Sequence, residues 1–284
     1  GIGVDPDART WSATQLRDLG TCRFRWWASR VWGVAAPEEG PEELTPLLEG
    51  RLYHEALDRA LEAAVGRRGA AARAAALAVL DDAFAAAEAL DRLADVVPHW
   101  SRLRGELLAH LRGLIEAPDF LPDDHEVLRT EGAFAGSWHG WRVRGRVDRV
   151  DRTPAGVELI DYKLSGRKPV GARDAELKPT LDLQLPLYRD VAAPQLAPGE
   201  PVVGAVYVSL RTRARVPASP PDPGHLADLL ARLRASLRAG FFPPEPDPAV
   251  CFFCDLEAVC RKGPHLERRP PPYRVPGASS EVPT

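Results

Sequence analysis

Two acids and an amine set the chemistry to look for. In "LIDYKLSG", residues 159 to 166, an apolar strand-like pair runs into Asp161, and two residues later stands Lys163, one of only four lysines in a chain with 33 arginines. That bias suggests a position needing an ammonium, because a guanidinium spreads its charge and does not readily give up a proton. The preceding segment, "RVRGRVDRVD", is joined to it through Arg152-Thr153-Pro154-Ala155, which reads as a tight turn between antiparallel neighbours. A turn centred on Pro154 and Ala155 sets Asp148 opposite Asp161. Facing Cβ atoms in such a pair lie about 4.5–5.5 Å apart, and like charges there repel. Side chains alternate along a strand, so Asp161 and Lys163 share one face, Ile160 and Tyr162 take the other, and Asp151 points away from Asp148. A hard divalent cation, Mg²⁺ or Mn²⁺, would relieve the repulsion and keep waters for hydrolysis. A salt-bridged strand pair without metal is the alternative.

Other residues could join this group. Gln184 and Tyr188 in "QLPLYR" lie one helical turn apart and could both meet a substrate, or pack a core stripe. His54, in "GRLYHEAL" with Leu57 and Leu61, reads alone as a core histidine. Glu131 is a secondary candidate for a second metal or a supporting contact, with a solvated strand edge as its alternative. Cys251, Cys254 and Cys260 form C-x2-C-x5-C, with Cys22 far upstream. In a reducing compartment four such thiols favour metal over disulfides. Structural zinc draws on two close pairs, so three clustered ligands and one distant one fit it less well.

The elements that must position these groups follow from periodicity. A helix capped near Ser12 is expected over residues 10–35, then a Pro/Glu/Gly-rich linker at 37–46. Residues 47–117 carry leucines at three- and four-residue steps and read as helices, with the Ala-rich part, 70–90, as a surface helix. Strands are expected at 126–134, 138–151, 157–164 and 202–211, with a helix in "PTLDLQLPLYRDV" despite Pro186 and another at 225–239. The plan is α/β: an N-terminal helix with the first cysteine and linker (1–46), a helical lobe (47–125), a mixed sheet core (126–247), a cysteine segment (248–269) and a Pro-rich, disordered tail (270–284).

Composition narrows the function classes. Hydrophobic residues at 45% and charged ones at 27% suit a folded chain, and a net charge of −3 argues against nucleic-acid binding by bulk electrostatics. Local tracks, Arg211/Arg213/Arg215 and Arg232/Arg234/Arg238, read equally as solvated faces or phosphate contacts. No apolar run reaches the roughly 20 residues of a membrane span, and no signal peptide opens the chain, so the expected compartment is the cytoplasm. The absence of any methionine suggests a fragment of something longer, or a processed chain.

The motifs together resemble a known family. "GRLYHEAL", "GRVDRVD", "IDYK" and "QLPLYR", in that order, look like the RecB-type branch of the PD-(D/E)XK nucleases, and "WSATQLRDLGTCRFRWWASRVWGV" resembles the entry into the nuclease domain of AddB-type helicase-nuclease subunits. The resemblance implies a restriction-endonuclease-like core with an iron-sulfur C-terminal segment. It implies that His54, Asp148, Asp161 and the carbonyl of Tyr162 hold Mg²⁺ or Mn²⁺, that Lys163 polarises the attacking water, and that Gln184 orients the lysine or the scissile phosphate. It further implies that Cys22, Cys251, Cys254 and Cys260 bind a 4Fe-4S cluster, as also in CRISPR-associated RecB-like exonucleases. The implied activity is DNA cleavage at strand ends in repair, with a helicase subunit or domain as partner. Spacer trimming in a CRISPR system, or a catalytically silent DNA-end binding module, are the alternatives. No G-x-x-x-x-G-K-[ST] loop is present, so an ATP-driven helicase is not part of this sequence.

Overall fold

Ser12 starts the first helix through a reciprocal capping box: its hydroxyl accepts from the Gln15 amide at 3.2 Å and the Gln15 side chain accepts from the Ser12 amide at 3.1 Å. The computed structural model describes residues 3–35, 43–164, 182–217, 222–245, 251–252 and 254–260. The single helix expected over 10–35 is instead two, α1 (Ala13–Thr21) and α2 (Arg23–Arg30). Cys22 divides them because its backbone is extended, at φ −157° and ψ 108°, and its Sγ accepts from the Arg25 amide at 3.5 Å. One residue thus ends one helix and caps the next.

A helical lobe follows, built from α3 (Pro46–Glu62), α4 (Gly69–Leu90), α5 (Leu93–Val96) and α6 (Trp100–Glu116). Thr45 caps α3 by accepting from the Leu48 amide at 3.3 Å, and Pro46 takes the first helical position, where no N–H is needed. The Ala-rich helix α4 is not simply a surface helix. Ala72, Ala76, Leu80, Phe84 and Ala87 are buried in one cluster with Ala56 and Ala60 of α3. Small side chains at both helices let the two backbones approach.

Strands β1 (Glu126–Trp138), β2 (Trp141–Thr153) and β3 (Gly156–Lys163) pair as antiparallel neighbours. The β1–β2 turn is His139-Gly140, both at positive φ (47° and 78°), the two-residue geometry that matches strand twist. It carries β1 to Trp138, beyond the expected end at 134. The crossover to the next strand holds α7 (Gln184–Leu187), a π-helical turn over Tyr188–Ala192 and α8 (Ala193–Leu196). Pro186 is tolerated because it lies in the first turn, where its missing N–H costs nothing. Strand β4 (Val202–Ser209) runs parallel to β3, and β5 (Arg215–Pro217) closes a mixed five-stranded sheet in the order β1-β2-β3-β4-β5. Helix α9 (Pro223–Ala239) and the short α10 (Glu257–Cys260) follow.

The sheet separates two apolar clusters, one per face. Ile160, Tyr162, Val206 and Val208 pack with the lobe, while Leu159, Ala205 and Tyr207 pack with Leu16, Leu187, Leu230 and Leu237. The result is helix on sheet on helix. The linker residues 36–42, residues 261–269 of the cysteine segment and the tail from 270 lie outside the described residues. Among the described residues, no helix is long and apolar enough to cross a membrane.

Candidate active site

The β2–β3 register runs from Thr153↔Gly156 to Arg149↔Ile160, and the same offset continued by one step brings Asp148 opposite Asp161. The ladder stops there. In place of a backbone bond, the Tyr162 amide donates to Asp148 Oδ2 at 2.6 Å. On the other side of β2 the pairs Thr130↔Arg149 and Gly132↔Val147 flank Glu131, whose backbone takes a left-handed turn at φ 43°. Carboxylates therefore lie across three successive strands, at Glu131, Asp148 and Asp161.

Helix α3 lowers His54 onto this row. Its Nε2 stands 3.1 Å from the Tyr162 carbonyl and its Nδ1 3.5 Å from Asp148 Oδ2. One ligand atom each from His54, Glu131 and Asp148 lie within 4.8 Å of one another. The expected set placed Asp161 in that company and left Glu131 outside it. Asp161 has partners of its own: its Oδ1 accepts from Gln184 Nε2 at 2.6 Å and stands 3.0 Å from the Tyr188 hydroxyl.

Lys163 completes the constellation. Its ammonium is 2.5 Å from Asp161 Oδ2, 3.2 Å from Gln184 Oε1 and 5.2 Å from the centroid of the Tyr207 ring. The Lys163 ammonium is thus the ion-pair partner of the buried Asp161 Oδ2. Gln184 Nε2 also donates to the Tyr188 hydroxyl at 2.8 Å, and the single phenolic proton of Tyr188 is shared between Asp161 and the Arg146 carbonyl, 2.7 Å away. Gln184 itself is held by Asp182, whose Oδ1 accepts from the Gln184 amide at 2.9 Å and from the Tyr207 hydroxyl at 2.8 Å. Asp182 and Glu131 are the residues that sequence reasoning undervalued. An acid two positions before Gln184 was a readable helix-cap signal; nothing local announced the role of Glu131.

Electrostatics agree with crowded acids. Burial, then the neighbouring Asp148 charge, pushes Asp161 up to about 6, against the opposing pull of Lys163 and His54. Glu131 is also raised, by burial first, with Asp148 and Asp58 adding to it and Arg146 opposing. Burial works against a charged His54, but the Asp148 and Asp161 carboxylates outweigh it and hold the imidazole above its ordinary value. Beside the group opens a cavity of about 250 Å³ lined by Arg51, His54, Asp58, Asp91, Glu131 and Arg146.

Half-buried carboxylate oxygens on Glu131 and Asp148 and an adjacent imidazole, with the buried Asp161 on the neighbouring strand, fit a divalent cation. The arginine tracks fit phosphate less well. Arg211 pairs with Glu49 at 2.7 Å, Arg213 with Asp119 at 3.8 Å, Arg215 with Glu158, and Arg234 and Arg238 with Asp7.

The cysteines are partly placed. Arg23, next to Cys22, binds Glu245 through Nε at 3.1 Å and Nη2 at 2.8 Å, and the Phe24 amide donates to the Pro243 carbonyl at 3.3 Å. Cys22 is thereby held at the segment that leads to Cys251. All four cysteines are half-buried, and no disulfide joins them.

Sheet and site together define a class: an α/β protein whose central strands gather carboxylates, an imidazole and an ammonium into the donor set hard cations prefer. A family model described as the PD-(D/E)XK nuclease superfamily matches residues 10–261, and the chain belongs to that superfamily. Among solved structures it is similar to a "Putative exonuclease" from Eubacterium rectale, at 12% identity and a TM-score of 0.46, over 92% of this chain and 88% of that one. No curated protein matches it.

Proposed function

We propose that the protein is a Mg²⁺- or Mn²⁺-dependent deoxyribonuclease, an exonuclease that trims DNA ends in repair and recombination. What carries the reading is the alignment of Glu131, Asp148 and Asp161 on three adjacent strands under His54, with the Lys163 ammonium 2.5 Å from Asp161. His54, Asp148, Asp161 and the Tyr162 carbonyl would hold the cation, with Glu131 beside them. When bound, the cation makes a water nucleophilic near neutral pH and neutralises charge on the phosphate.

The chain's own groups do the rest. Lys163 faces the position where charge develops on the phosphate and stabilises it there. Gln184 fixes the ammonium through its Oε1 and Asp161 through its Nε2, so acid and amine keep their spacing. Tyr188 locks Gln184 from one helical turn away. Completeness of this set supports an active enzyme over a silent end-binding module.

A 4Fe-4S cluster on Cys22, Cys251, Cys254 and Cys260 belongs to the same reading. It is supported by the C-x2-C-x5-C spacing and by the Arg23–Glu245 clasp, which holds Cys22 at a segment six residues before Cys251 in the sequence. Its role would be structural, closing a very long loop. Strand feeding by ATP would fall to a separate helicase subunit or domain.

The deciding assay uses end-labelled single- and double-stranded DNA with Mg²⁺ or Mn²⁺, with and without a 5′ block. Metal-dependent release of mononucleotides or short products from ends is expected. Intact DNA under all conditions, or cleavage that persists in Asp161→Ala, would overturn the proposal.

A further inference from the structure

On the face of β3 opposite the acids lies a charged network that the reaction does not use directly. Arg149 and Asp151 are both fully buried, with Nε and Oδ1 3.0 Å apart. Arg149 Nη1 donates to the Tyr162 hydroxyl at 3.1 Å and Nη2 to the Phe120 carbonyl at 2.8 Å. The guanidinium lies over the Phe120 and Tyr162 rings, 4.9 and 5.8 Å from their centroids. His125 Nδ1 stands 3.4 Å from Asp151 Oδ2.

We propose that Arg149 is a positioning residue that sets the affinity of the site for its divalent cation by clamping Tyr162; this rests on the metal-dependent reading above. Tyr162 is the hinge pin of the site. Its amide holds Asp148 at 2.6 Å, and its carbonyl meets His54 at 3.1 Å. Its chain neighbours Asp161 and Lys163 emerge on the acid face because its own side chain points the other way. Fixing the phenol from below therefore fixes two groups directly and two more by alternation.

Stability alone is a weak reason for such a pair. Desolvating two charges offsets most of their attraction, and well-packed apolar replacements are often neutral. What the guanidinium supplies is direction: it meets the phenol, a carbonyl and a carboxylate at once from one rigid plane, and a lysine ammonium offers no such planar fork. Outer groups that orient ligands typically change metal affinity by about 10–100-fold when removed.

The test is Mn²⁺ binding without DNA, by calorimetry and by electron paramagnetic resonance, on the parent, on Tyr162→Phe and on the pair Arg149→Met with Asp151→Leu. The paired change removes both charges, so no unpaired charge stays buried, while the Tyr162 hydroxyl loses its guanidinium partner. Folded by circular dichroism, the paired variant is expected to bind Mn²⁺ about tenfold more weakly or worse, and Tyr162→Phe several-fold more weakly. Parent-like affinity in the folded paired variant overturns the proposal. If the paired variant does not fold, unchanged affinity in Tyr162→Phe overturns it alone. A parent that binds no Mn²⁺ removes the metal-dependent reading itself, which a failure of the clamp would leave standing.

Discussion

The amide of Tyr162 donates to the carboxylate of Asp148 at 2.6 Å at the point where the β2–β3 ladder ends. A side chain thus replaces a strand at the last rung, and the freed carbonyl of Tyr162 turns to His54. The sheet is opened by one residue just where oxygens are needed.

Replacing Lys163 by alanine should lower cleavage by about 10²–10³-fold, the usual cost of losing one preorganised charge-stabilising donor. Arginine at the same position should rescue poorly, because its fork cannot sit 2.5 Å from Asp161 and also meet Gln184 in the same way. Single-turnover rates at saturating metal check both. Parent-like rates in Lys163→Ala would count against the assignment.

A divalent cation should stabilise the fold by relieving the crowded acids. With metal at a hundred times its Kd the gain is about 2.7 kcal/mol, seen as a rise in melting temperature that EDTA reverses. The rise should shrink with acid. Asp161 is pushed up to about 6, so below that pH it keeps a proton that the cation must displace. Melting curves with and without Mg²⁺ at pH 8 and pH 5 measure the difference, and an equal shift at both would contradict it.

Gly145 faces the Phe134 ring, and an added Cβ would lie 2.6 Å from its Cζ. Gly145→Ala should therefore destabilise the sheet by about 1–3 kcal/mol, as overpacking does. Chemical denaturation reads this independently of activity.

Arg23 is held by Glu245 at 2.8 Å and by its own backbone amide to the same carboxylate at 3.0 Å. Arg23→Ala leaves the acid part-buried with only the residue-23 backbone amide as donor, at a cost on the order of 1–3 kcal/mol. Denaturant titration of parent and variant gives the value.

Purified without oxygen, the protein should be brown and contain iron and sulfide in equal amounts. Cys22→Ser should bleach it and lower the melting temperature. Stoichiometric zinc without iron would refute the cluster.

Much of the site was readable because its rules are local. Period-two alternation and a two-residue turn place Asp148, Asp161 and Lys163, and the turn at Pro154-Ala155 has the expected register. Glu131 was readable only as a secondary candidate. Its approach to Asp148 depends on a register fixed by the His139-Gly140 turn and on a left-handed backbone at Glu131 itself, which propensity does not favour. Arg149 and Asp151 were hidden for the opposite reason: charged residues are expected outside, and these are buried only because each has the other. The helix break at Cys22 was only weakly marked, because Gly20 lies inside the last turn of α1 and not at the break. His54 could be recognised only in company, since one imidazole on an apolar helix carries no signal of its own.

The π-helical turn at Tyr188–Ala192 adds one residue to its helix and so shifts the phase of everything beyond it. Gln184 and Tyr188 point at the acids while Gln195, further along, reaches the edge strand, where its Oε1 accepts from the Ala135 amide at 3.4 Å. Deleting a residue from the regular winding after the π-helical turn, with that wide turn left in place, would swing the later part by about 100°. The segment would then have to choose between gripping the catalytic face and bracing the rim of the sheet, so its length is constrained more tightly than its composition.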